Sequence, residues 1–152
     1  MLQGKIIAPA PPVIDRFSQE LSEADQWFMG KLQKGFLASA HWEFIIHPSD
    51  YRAAQISSIG EIRPLIQNCW VNLRGWTFPY VGTRAETSNF NHGLQSFTDS
   101  SRKREAFRFY QSGLFVWKQA LWEDLNGDDS PKRHLSFITA IYSVTEWLLF
   151  SG

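Results

Sequence analysis

Between Cys69 and Trp122 the chain concentrates most of its aromatic residues, interleaved with arginines and glycines, and this stretch limits the folds open to it. Trp70, Asn72, Arg74 and Trp76 fall on one side of an alternating run, with Val71, Leu73 and Gly75 on the other. A period of two is that of a β-strand, whose successive side chains point to opposite faces. Both sides carry sizeable groups, which predicts either a central strand or one with a face covered by a helix. Farther on, Ala106 to Tyr110 and Leu114 to Leu121 read as extended runs around Gln111-Ser112-Gly113. They fit one hairpin, or one long strand with a glycine bulge. A helix through Arg104 to Leu121 competes on period, but rings and β-branched residues favour strands.

The flanks supply more elements. Phe17, Leu21, Ala24, Phe28 and Leu32 recur at spacings of three and four, predicting an amphipathic helix over Asp15 to Gly35. Asp15 or Ser18 caps its start, Gly35 suits the position past its end, and Trp27 and Met29 flank the stripe. Phe36 to His47 alternates, with Ala40, Trp42, Phe44 and Ile46 opposite His41, Glu43 and Ile45, and predicts a strand with one buried face. A short helix is expected from Ser58 or Ile59 to Asn68, although Pro64 would fit better were its start near Arg63. Thr83 to His92 reads as an exposed loop, Gly93 to Thr98 as a short strand, and Asp99 to Lys103 as a turn. Glu123 to Pro131 reads as an acidic loop. Ser130-Pro131 then opens a helix with Leu135, Ile138, Tyr142, Thr145 and Leu149 on one face and Phe137, Ile141, Val144 and Leu148 on the next. So wide an apolar surface predicts that this helix is mostly buried. Its apolar stride runs to Phe150, which fits a docked terminus or a piece of a longer chain. Residues 1–13, with Pro9, Pro11 and Pro12, read as an extended arm or an edge strand through Lys5 to Ala8, ahead of a single domain over 14–152.

Composition narrows the function classes. A length of 152 residues, with 43% hydrophobic and 20% charged residues, suits a globular protein, and aromatic residues at 15% with seven Trp suit broad sheet faces or interfaces. Fifteen basic and fifteen acidic residues balance, so the basic excess usual in nucleic-acid binders is missing. The local cluster Arg102-Lys103-Arg104 is the exception. With one cysteine, Cys69, no internal disulfide or cysteine-based zinc site can form, and the residue is expected to be a small buried hydrophobe. No run is long enough to span a bilayer and the first residues do not resemble a signal peptide, which predicts a cytoplasmic protein without membrane contact.

Leu73-Arg74-Gly75-Trp76-Thr77-Phe78-Pro79-Tyr80, followed by Phe107-Arg108-Phe109-Tyr110-Gln111-Ser112-Gly113-Leu114-Phe115-Val116, resembles the C-terminal region of prokaryotic proteins that carry an AlbA-type, Schlafen-like DNA-binding domain at their N-terminus. There a strand like Trp42 to Pro48 precedes an RGW-x-FP element, and a WRFYQSG-x-F element follows. Ala106-Phe107-Arg108-Phe109 departs from the second element in lacking its tryptophan. The likeness covers about Trp42 to Trp147, and the chain begins after the point where the AlbA-type domain would sit. The resemblance implies an accessory α+β domain without chemistry of its own, in a regulatory or defence system of several parts.

No constellation for catalysis stands out, and no cofactor is expected. His41, His47, His92 and His134 form no close ligand pair, and His41 and His47 would lie about 20 Å apart along a strand. Ser112 resembles half of a nucleophile elbow but lacks the full Gly-x-Ser-x-Gly, and reads as a turn residue. A metal-dependent nuclease would need carboxylates and a lysine to converge, with Asp99, Lys103, Glu105 and Glu43 as the only candidates. Arg74, Trp76, Phe78, Tyr80, Arg108 and Tyr110 are the best binding candidates, since guanidinium groups alternating with rings can hold a partner, a base or an anion from one sheet face. The competing structural role is that Arg74 and Arg108 stack on rings and pair with Glu43 or Glu105.

The expected fold is α+β, one antiparallel sheet of about five strands packed by N- and C-terminal helices. The expected function is a non-catalytic protein-interaction or ligand-sensing module whose partner is another subunit or domain, a second copy of itself included. An exposed cluster of rings larger than a few hundred Å² would mark that interface. The alternative is single-stranded nucleic-acid binding through Arg74, Trp76, Tyr80, Arg102, Lys103 and Arg104.

Overall fold

The computed structural model describes residues 15–32, 40–100, 103–121 and 135–152. Five strands form one antiparallel sheet in the order β1-β5-β4-β3-β2: β1 His41–Ile46, β2 Glu86–Phe90, β3 Gly93–Ser100, β4 Lys103–Tyr110 and β5 Phe115–Ala120. Three helices cover it: α1 Arg16–Lys31, α2 Ile59–Asn68 and α3 Phe137–Ser151. The expected α+β architecture, with a five-stranded antiparallel sheet and helices from both ends of the sequence, is what the chain adopts.

The sheet sorts its side chains by parity. On β4, Ala106, Arg108 and Tyr110 face α1, and Lys103, Glu105, Phe107 and Phe109 face the other side. On β5, Val116, Lys118 and Ala120 meet α1, and Phe115 and Trp117 point away. Phe17, Ala24, Phe28 and Leu32 form the predicted stripe of α1 and close the first core with Tyr110 and Leu114. Asp15 caps the helix, accepting from the Phe17 amide at 3.1 Å. The second core holds Ile62 and Ile66 of α2, Phe78 and Val81 of the long connection before β2, and Trp147 of α3. Trp42, Phe44 and Ile46 of β1 pack into it as the alternation predicts.

The β4–β5 run is a hairpin, and its turn needs Gly113. That residue has φ +88°, and a Cβ there would approach Pro48 Cγ to 2.8 Å. A non-glycine residue would meet both the left-handed strain and the clash. Ser112 completes the turn: its hydroxyl donates to Glu20 of α1 at 2.6 Å and accepts from the Leu114 amide at 3.3 Å.

Several expectations are corrected. Trp70 to Trp76 is not a strand. Val71 and Phe78 form a single bridge, and the Gly75 amide donates to the Asn72 side chain at 3.1 Å while Gly75 sits at φ +83°. That local turn curls the chain, and β1 already occupies the free edge of β5. Glu86 to Phe90 of the expected loop is the edge strand β2, which pairs with β3 across Asn91 and His92. Its polarity suits an edge with few apolar neighbours. Helix α2 runs over Ile59–Asn68 as expected, capped by Ser58, but takes Pro64 in its second turn rather than near its start, and the Gly60 carbonyl forgoes its usual donor. Helix α3 opens at Phe137 behind the cap Ser136, and it is largely exposed rather than mostly buried. Cys69 lies at the exposed C-terminal cap of α2, not in a core. The arm over 1–13, Gly35, the beginning of the first expected strand, Arg102, the loop over 123–131, the Ser130-Pro131 start and His134 lie outside the described residues.

Gly113→Ala is expected to cost about 1–3 kcal/mol of stability, read as a lower urea midpoint. An unchanged midpoint would mean that the turn relaxes without strain.

Candidate functional site

The binding candidates split between the two faces of the sheet. Arg74, Trp76, Phe78 and Tyr80 lie on the connection that crosses the α2/α3 side, whereas Arg108 and Tyr110 face α1. A single pocket built from all six is therefore excluded by strand parity. Phe78 and Tyr110 are also buried in the two cores and offer no surface to a partner.

Arg74 anchors the first group. Its Nε donates to Glu146 of α3 at 3.1 Å, its Nη2 contacts the same carboxylate, and the guanidinium lies 5.3 Å from the Trp76 ring centroid. Glu146 is fully buried, as apolar periodicity does not foretell for the one charged residue of α3. The pairing is bidentate, the geometry in which a planar guanidinium best satisfies a carboxylate. Beside it lies a cavity of about 150 Å³ lined by Trp42, Arg74, Trp76, Gln119, Thr139 and Ser143. Trp42 Nε1, Ser143 Oγ and the neighbouring Trp147 Nε1 are buried without a hydrogen-bond partner among the described residues.

Glu105 organises the next layer. Its carboxylate accepts from the Tyr80 amide at 3.1 Å and from Trp117 Nε1 at 3.3 Å, and pairs with Lys103 at 3.3 Å. Lys103 lies 5.0 Å from the Tyr80 ring centroid and 5.5 Å from that of Trp76. Burial pushes the Glu105 carboxyl above its ordinary value of 4.5, against the pull of Lys103 and the two N–H donors.

On the α1 side Arg108 is occupied in the same way. Its guanidinium lies 4.3 Å from the Phe90 ring centroid and 5.1 Å from that of Trp27, and it donates to Gln95 Oε1 and to the Glu23 carbonyl. Tyr110 donates to the Glu20 carbonyl at 2.9 Å, and burial pushes its hydroxyl up to about 12. Lys118 bridges Asp25 at 2.8 Å and Glu43 at 2.9 Å. Its burial opposes the charge, but the two carboxylates outweigh that and raise its pKa above the ordinary lysine value. The expected stacking of Arg74 and Arg108 thus holds, while their partners are Glu146 and Gln95 rather than Glu43 or Glu105.

The candidate nuclease group does not converge. Asp99 pairs with Arg104 on the α1 side, Glu43 with Lys118 on that same side, and Glu105 faces the opposite core. Among the described residues no group of three or more His, Cys, Asp or Glu is placed to hold a metal ion. No helix among them is long and apolar enough to cross a membrane.

One surface stands apart. Phe137, Ile138 and Leu148 are 77%, 67% and 67% exposed, and Leu135, Ile141, Tyr142, Val144 and Leu149 are exposed beside them. The sequence signal was present in the two apolar faces of this helix; only its burial was misjudged. No family model matches the chain, and neither does any curated protein or solved structure.

Arg74→Met leaves Glu146 buried without its partner and is expected to cost about 3–5 kcal/mol in chemical denaturation. The double change Arg74→Met/Glu146→Leu should recover most of that loss, and additive costs would refute the coupling. For Glu105, the folded state keeps its proton to a higher pH than the unfolded chain. Its contribution is therefore complete below the ordinary 4.5 and is lost as pH rises through the raised value. Glu105→Gln should flatten that decline in stability above pH 4.5, with Glu20, also raised by burial, supplying the remainder. Parallel pH profiles for the variant and the wild type would refute it.

Proposed function

We propose that this chain is a non-catalytic protein-interaction module whose docking surface is the outward face of α3. The exposure of eight large apolar residues in and just before that helix carries the reading. Taken over whole residues of roughly 170–260 Å² each, their exposed fractions amount to about 900 Å², beyond the few hundred Å² that isolated monomers usually show. Of the residues expected to bind, Arg74 and Arg108, with Lys103 and Arg104 of the nucleic-acid alternative, are each held by a carboxylate or amide oxygen. That occupancy weighs against single-stranded nucleic acid as the ligand, since phosphate contacts would have to compete with those partners. The resemblance to the C-terminal region of AlbA-type proteins suits an accessory part in a system of several components.

A photo-crosslinking amino acid placed at Ile138 or at Leu148 should give a covalent adduct of defined mass in the native host. The same residue at the exposed Glu61 of α2 serves as the control. Equal labelling from all three positions, or none from α3, would overturn the docking reading.

A further inference from the structure

We infer that the partner on α3 is a second copy of this chain, the two helices packing antiparallel about a two-fold axis. This rests on the docking reading above and adds the identity of the partner.

Area comes first. About 900 Å² lies exposed on each copy over half the circumference of α3; a two-fold contact burying its facing half would remove about 900 Å² in total from the two copies, near the roughly 1,000 Å² that a specific interface needs. Charge is the second argument. The one charged residue of α3 is Glu146, which is buried against Arg74, so the outward face carries neither sign. A two-fold contact sets a surface against itself, and like charges facing each other there would repel. A face without charge escapes that cost and also lacks the charge pattern that selects a different partner. Among the described residues the face likewise carries none of the lysines and arginines that hold an interfacial helix on a membrane.

The polar atoms of the face agree. The Thr145 hydroxyl, in the middle of it, already donates to the Ile141 carbonyl at 2.8 Å, and Ser151 donates to the Leu148 carbonyl at 3.0 Å. Burying these two hydroxyls against an apolar copy strands neither donor, whereas the Tyr142 hydroxyl must stay at the solvent-facing rim of the contact. The exposed residues also form two ridges, Phe137-Ile141-Val144-Leu148 and Ile138-Tyr142-Thr145-Leu149, along a helix of about 22 Å. Ridges of one copy fit the groove between those of the other. With the axis near Ile141 and Val144, Phe137 of one copy meets Leu148 of its mate.

Sedimentation equilibrium of the full chain across micromolar concentrations should give twice the 17.5 kDa protomer mass. Ile141→Asp/Leu148→Asp changes two residues exposed at 50% and 67%, so the protomer should keep its circular dichroism while the dimer dissociation constant rises roughly 100-fold or more. Val144→Cys in a Cys69→Ser background should form a disulfide-linked dimer on mild oxidation, and Glu61→Cys should not. A wild type that stays monomeric at 100-fold the concentration of the crosslinking assay overturns self-pairing, as does a dimer indifferent to the double aspartate change. If such a monomer still gives a hetero-adduct from Ile138, docking stands and only the second copy is rejected. If it gives none, both fall.

Discussion

The Arg74–Glu146 pair decides how α3 lies on the sheet. An unpaired carboxylate cannot be buried cheaply, so the helix is free to bury Glu146 only in the rotation that brings it to a guanidinium. That rotation presents Ser143, Glu146 and Trp147 to the core and turns Phe137, Ile138, Ile141, Val144 and Leu148 outward. A helix with apolar residues all round has no preferred side by hydrophobicity alone. The ion pair supplies the preference. It also ties α3 to the connection bearing Trp76 and Tyr80, which reaches Glu105 and through it Lys103 and Trp117.

Each face of the sheet therefore contains a buried or half-buried charge satisfied from a second element. Glu105 receives an amide from the connection, and Lys118 receives carboxylates from α1 and β1. Such pairs add little net stability over apolar replacements, but they penalise any packing that separates them. The aromatic richness works alongside them. Phe44, Phe78, Phe115, Trp117, Trp147 and Phe150 form one continuous set of ring contacts between sheet, connection and α3. The density that first suggested a binding surface is largely spent on this core.

Much of the architecture was legible in the sequence. The stripe of α1, the alternation in β1 and the Ser112-Gly113 turn express local rules of period and backbone freedom, which one chain displays directly. The failures came where period has a second cause. Trp70 to Trp76 alternates in sequence but forms only the Val71–Phe78 bridge and buries only Val71, and periodicity cannot tell that from a ladder. Glu86 to Phe90 carries little apolar signal because an edge strand borrows its stability from β3. In the candidate site Arg74 and Arg108 were grouped by composition, whereas strand parity and the curl at Gly75 place them apart. Glu146 looked like an interruption in an apolar helix and proved to be the residue that orients it.

The outer strand β2 gives the molecule one further property. Glu86, Thr87, Ser88 and Asn89 line an edge that is short and polar. Edges of this kind resist addition of further strands. Association through a helix surface closes once two copies have met, whereas association through sheet edges continues without limit. The polar margin at β2 thus discourages open-ended association on that side of the sheet.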